Sequence, residues 1–145
     1  MRTVHLLMLC ISVISGCETI DDTVATSSAP PAASAAVAGA IAGDLASRFA
    51  EQNGPKTSAP IVMRKDNTEF ANALEAALKG WGYSVITDGR GHQPSKSVAL
   101  SYSLHGFDNQ ILAKLATPTI ALGRTYDVTT GGATPSSPLS VMRSD

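Results

Sequence analysis

Residues 97–116 read SVALSYSLHGFDNQILAKLA, and the alternation within them decides which folds are open to the chain. Val98, Leu100, Tyr102 and Leu104 alternate with Ala99, Ser101, Ser103 and His105, the period of two that marks a strand with one packed face and one wet face. Phe107-Asp108-Asn109-Gln110 supplies turn residues, and an apolar run resumes at Ile111.

Working outward, ILAKLATPTIALGRTYDVTT at 111–130 reads either as one long bent strand or as two strands divided at Thr117-Pro118. Two are favoured, because proline sits poorly within a central strand. The closing GGATPSSPLSVMRSD, 131–145, carries Gly and Pro early and ends either in a short edge strand at 139–143 or as a disordered tail. In the other direction, GRGHQPSK at 89–96 is a loop by composition. Before it stands a strand–helix–strand unit. APIVMR at 59–64 is the first strand, and YSVITD at 83–88 is the second. Between them, Asp66-Asn67-Thr68-Glu69 resembles a capping box started by Asp66. Phe70, Leu74, Ala77, Leu78 and Trp81 mark the helix's buried face, and Gly80 and Gly82 end it. Earlier still, AAVAGAIAGDLASRFAEQNG places Val37, Ile41, Leu45 and Phe49 four residues apart and stops at Asn53-Gly54-Pro55, an amphipathic helix with a narrow stripe. Its Gly39 and Gly43 fit a GxxxG pattern, but in so Ala-rich a stretch packing on the sheet is the better reading than pairing in lipid. The order of elements predicts an α+β fold: one small domain, a mostly antiparallel sheet, helices on one face, and a flexible tether in front.

A chain of 145 residues with 43% hydrophobic composition suffices for one modest core. Eleven Lys and Arg are scattered among twelve Asp and Glu, giving a net charge of −1. No basic stripe for a nucleic-acid partner is visible. Aromatic residues are 5%, too few for a convincing stacking platform.

The N-terminus carries the clearest signal. Met1-Arg2-Thr3 is a short charged start, residues 4–14 are an apolar run broken only by Ser12, with His5 near its start, and Ser15-Gly16 are small. Eleven residues cannot span a hydrocarbon core of about 30 Å, which takes about 20 helical residues, so the run reads as a signal peptide. Ile14-Ser15-Gly16-Cys17 resembles a bacterial lipobox, with Ile14 in place of the commoner Leu. The resemblance implies lipid on the Cys17 thiol and cleavage before it. Cys10 would leave with the signal, and no thiol would remain for a disulfide. Glu18 follows the cysteine where Asp tends to retain lipoproteins in the inner membrane, so the expected location is the periplasmic face of the outer membrane. The expected organisation is 1–16 signal peptide, 17–34 lipidated Ala/Ser/Pro-rich tether, 35–130 α+β domain and 131–145 tail or edge strand.

Chemistry is harder to find. His92 and His105 are the histidines left after the signal, with no HExxH or CxxC pattern, so neither a metal nor a cofactor is expected. There is no GxSxG elbow and no Walker or dinucleotide motif. Asp88-Gly89-Arg90-Gly91-His92 is the densest polar cluster, and no helix follows its glycines to make a phosphate cradle. The reading is therefore of a non-enzyme whose surfaces do the work: the first helix, the tether, and an edge strand near the C-terminus to which a partner could add a strand.

The AGAIAGDLASRFAEQ helix and the EFANALEAALKGWGYSV unit behind a lipobox and an Ala/Ser/Pro tether resemble the TrbH family of conjugal transfer lipoproteins, over about residues 38–128. The resemblance implies a structural component of the type IV secretion, or mating-pair formation, channel in the outer membrane. It would sit in a homo- or hetero-oligomeric ring with outer-membrane core subunits and have no direct contact with nucleic acid. Only Cys17, through Ile14, Ser15 and Gly16, carries over as a functional position. Two rivals stay open: a general envelope lipoprotein acting in assembly or at the cell wall, and an envelope hydrolase using the His92 loop.

Overall fold

The computed structural model describes residues 34–53, 59–87 and 94–144. The elements are α1 (Ala35–Asn53), β1 (Ile61–Met63), α2 (Glu69–Gly80), β2 (Val85–Ile86), β3 (Val98–Phe107), β4 (Gln110–Ala116), β5 (Ile120–Thr129), β6 (Gly132–Pro135) and β7 (Ser140–Arg143). They form one mixed sheet in the order β2-β1-β3-β4-β5-β6, with β7 also on β5. The β2-β1-β3 part is parallel, and every pairing from β3 onward is antiparallel. The fold is α+β, as the element order predicts.

The alternation that opened the reading is what puts both helices on one side. Leu100, Tyr102 and Leu104 of β3, Ile111, Ala113 and Leu115 of β4, and Ile120, Leu122 and Tyr126 of β5 are all buried. The registers Tyr102↔Leu115 and Leu115↔Leu122 place them on one face. A hydrophobic face must be covered, and α1 and α2 cover it. Phe70 of α2 meets Tyr102 with ring centroids 5.3 Å apart, and Phe49 of α1 meets Tyr83 at 5.6 Å. The α1 stripe is broader than its four large residues suggest, since Ala38, Ala42 and Ala46 are also fully buried. The two helices pack against each other as well as against the sheet. Gly39 and Gly43 lie on the opposite, exposed side of α1, where an added Cβ would meet nothing within 4 Å. Thr117 marks the break between β4 and β5, its N–H donating to Ile120 O at 2.8 Å.

Three local expectations need correction. The α2 cap is Thr68, whose Oγ1 accepts from Ala71 N at 3.2 Å. Asp66 instead accepts from Thr68 N at 3.1 Å, so the helix starts two residues later than a box led by Asp66 would start it. Trp81 is not buried but 47% exposed. It follows the last helical turn, and after it the chain reverses at Gly82, where φ is +85°. Tyr83, 7% exposed, closes the core at that end instead. The parallel strands are also shorter than the runs 59–64 and 83–88. The Tyr83 N–H donates back to Leu78 O at 3.1 Å, and β2 pairs only through Val85 and Ile86.

The C-terminal stretch holds a strand that was not expected. β6 pairs 132–135 with 129–126 of β5, and β7 pairs 140–143 with 123–120. Residues 136–139 therefore stand opposite only Arg124 and Thr125: the last strand is one edge strand interrupted by a two-residue bulge. The bulge is held by its own bonds, with Ser136 N donating to Thr125 O and Thr125 N to Ser137 Oγ, each at 2.9 Å. An even offset keeps each side chain on the same face before and after the break. Gly132 sits at φ +146°, and a Cβ there would lie 3.4 Å from Ala36 O. This glycine thus allows β6 to pass directly beneath the first turn of α1.

Candidate functional site

Cys17, Ile14, Ser15 and Gly16 lie outside the described residues, as do His92 and its loop neighbours. His105 is described and stands exposed on the open face of β3. Among the described residues no group of three or more His, Cys, Asp or Glu could hold a metal ion. Among them, too, no helix is long and apolar enough to cross a membrane.

The structure assembles two features that the sequence scatters. The first is an ionic cluster on the helix side of the sheet. Asp44 of α1 accepts from Tyr126 Oη at 2.7 Å and from Arg124 Nη1 at 3.0 Å. Arg48, one turn along α1, adds an Nε contact at 3.6 Å. Arg124 also donates through Nε to Ser137 O at 2.9 Å. One guanidinium therefore ties α1, the centre of β5 and the bulge together. Burial, together with the hydrogen bond to Asp44, pushes the Tyr126 hydroxyl well above its ordinary pKa, so it stays protonated and a donor. The contacts span 80 and 82 residues of sequence, and Asp44 by itself reads as an ordinary polar position on an amphipathic helix.

The second is the open face of the sheet. Opposite the helices, β4, β5 and β7 form a groove of about 420 Å³. Leu112, Ala116, Ala121 and Met142 line it, Lys114 and Gly123 lie at its middle, and Ser137 and Pro138 of the bulge lie along it. Met142 is 66% exposed. Within this face Gln110 Nε2 donates to Asp127 Oδ1 at 2.6 Å, pairing the polar ends of β4 and β5. Arg143 of β7 reaches back to α1, donating to Gln52 O and Oε1 at 3.1 and 3.0 Å.

Of the three candidate surfaces, α1 is largely spent on the core, with only its Gly39/Gly43 side free. The edge strand near the C-terminus is present as β7, exposed along its whole length. The tether lies outside the described residues.

The ionic cluster and the open-face groove are the features that the described residues assemble, and comparisons with known proteins show what kind of chain carries them. The family model described as "Conjugal transfer protein TrbH" matches residues 19–145. The chain is also similar to the "Probable conjugal transfer protein TrbH" of Sinorhizobium fredii (strain NBRC 101917 / NGR234), 50% identical over 146 residues that cover 99% of each chain. No solved structure matches it.

Proposed function

The chain belongs to the TrbH family of conjugal transfer proteins, and from that premise we propose that it is a non-catalytic, lipid-anchored structural component of the mating-pair channel. Family membership is the observation that carries the reading. The sequence adds to it: the Ile14-Ser15-Gly16-Cys17 lipobox supplies an attachment point, and the family match begins at residue 19, two past Cys17, which is the part that would remain after cleavage before the cysteine. In this reading Cys17 carries the acyl chains, the domain sits on the periplasmic face of the outer membrane, and its partners are the outer-membrane core subunits of a type IV secretion system. Each buried CH₂ contributes about 0.8 kcal/mol, so several acyl chains hold the protein permanently where one would be marginal. Confinement to a plane raises the effective concentration of subunits, and weak lateral contacts then suffice for a ring.

The test is to purify the tagged chain in mild detergent from cells carrying its native neighbouring genes, with Cys17→Ser alongside. The wild-type chain is expected to be acylated at Cys17, to co-purify with large outer-membrane secretion subunits and to support transfer. The variant is expected to leave the membrane fraction or retain its signal, and to lower transfer by orders of magnitude. Normal membrane association of Cys17→Ser would remove the anchor. An acylated chain recovered with cell-wall factors in place of secretion subunits would favour the general envelope lipoprotein.

A further inference from the structure

The groove on the open sheet face has a pattern that names its occupant. Along β4 the outward residues are Leu112, Lys114 and Ala116, apolar–basic–apolar at two-residue spacing. Lys114 faces Gly123 across the ladder, and without a side chain there the lysine stem lies over the gap, its Cγ 3.9 Å from where a Cβ would be. No Asp or Glu lines the groove. The Arg124 guanidinium is on the helix side, held by Asp44. Lys114 is exposed, and among the described residues it has no ion-pair partner. A cation set between apolar walls fits an extended segment that reads apolar–acidic–apolar at the same spacing.

The chain contains one. Residues 18–26, ETIDDTVAT, lie outside the described residues and place Ile20, Asp22 and Val24 at two-residue spacing. We propose that the groove receives this segment of the same chain, with Ile20 and Val24 along the apolar walls and Asp22 against Lys114. Both triplets extend about 13 Å when drawn out, so their three positions match along their length. Charge is complementary at the groove itself: residues 18–26 hold three acids and no base, and Lys114 lies in a lining that has no Asp or Glu. The connection is long enough. The first turn of α1 lies over Gly132, which pairs with Thr129, and Thr125 at the groove is four residues along β5, about 13 Å. Residues 27–33 can reach about 23 Å, enough to round the sheet edge. The proposal does not rest on lipid at Cys17.

Amide hydrogen exchange on the whole chain in mild detergent tests it. Residues 19–26 are expected to exchange about tenfold or more slowly than free-peptide rates, independently of protein concentration. Lys114→Glu is expected to abolish that protection while the domain still unfolds cooperatively, its thermal midpoint lowered only by the few degrees that the lost docking supplied, and Lys114→Glu combined with Asp22→Lys to restore both. Exchange of wild-type residues 19–26 at free-peptide rates would overturn the proposal. Protection that survives Lys114→Glu would move the segment off the groove. Protection that grows with protein concentration would assign the groove to a second copy's segment, and so overturn docking within one chain.

Discussion

Asp44 shows how one residue can hold two elements at once. Its carboxylate accepts from Tyr126 and Arg124 at a site where its side chain is only 19% exposed. Removing it leaves two donors without an acceptor, whereas removing the Tyr126 hydroxyl leaves the ion pair intact. Tyr126→Phe is therefore expected to lower unfolding free energy by about 1 kcal/mol, and Asp44→Ala by about 2–4 kcal/mol. Urea unfolding of both variants measures this, and equal losses would mean that Arg124 gains nothing from Asp44. Glu75 acts through pH. Hydrogen bonds from Lys65 and Lys79, each 2.6 Å, hold its carboxyl below the ordinary carboxylate range. A depressed folded pKa gives stability that is present above about pH 4.5, the ordinary value, and is lost as pH falls through the folded value. Glu75→Gln is expected to flatten that acidic limb in a series of melts between about pH 5 and 2 and to change nothing near neutrality beyond the loss of the pairs.

Among the elements, glycines with opposite settings make a paired prediction. Gly132→Ala forces a positive φ on a side chain pressed toward Ala36 O and is expected to cost about 1–3 kcal/mol. Gly39→Ala has open space around it in the second turn of α1 and is expected to add about 0.5–1 kcal/mol. Thermal unfolding distinguishes the two, and a destabilising Gly39→Ala would mean that the exposed side of α1 is covered in the full-length protein. The same elements show what the sequence makes legible. Period-four spacing marks α1 and α2 and period-two alternation marks β3, because each buries one face over most of its length, while β4 and β5 are legible as an apolar run divided at Thr117-Pro118. β6 escaped because Gly131-Gly132 and Pro135 read as punctuation, and its pairing depends on β5 rather than on its own residues. Trp81 escaped because a helical stripe gives direction around the axis and not the point at which the core ends. The candidate surface was legible only in part. Lys114, Gly123 and Met142 belong to three strands, and only their register brings them together.

At the scale of the molecule, the last residues of the chain are structural. β6 lies under α1, and Arg143 holds the end of that helix through Gln52. A chain stopped after residue 131 is expected to lose cooperative unfolding, as seen in a broadened denaturation curve and collapsed near-ultraviolet dichroism. A sharp, native-like transition would show that residues 34–131 fold by themselves.

The broken last strand also bears on how the protein tolerates being packed densely against its own kind. Exposed strand edges invite chains to zip together into insoluble stacks. Here one border of the sheet is the two-residue β2, and the other is split into two four-residue pieces, with Pro135 and Pro138 at the break. Neither border offers a long uninterrupted template for a neighbour's backbone. In the ring proposed above, neighbouring copies would therefore meet through their side chains rather than merge into a common sheet.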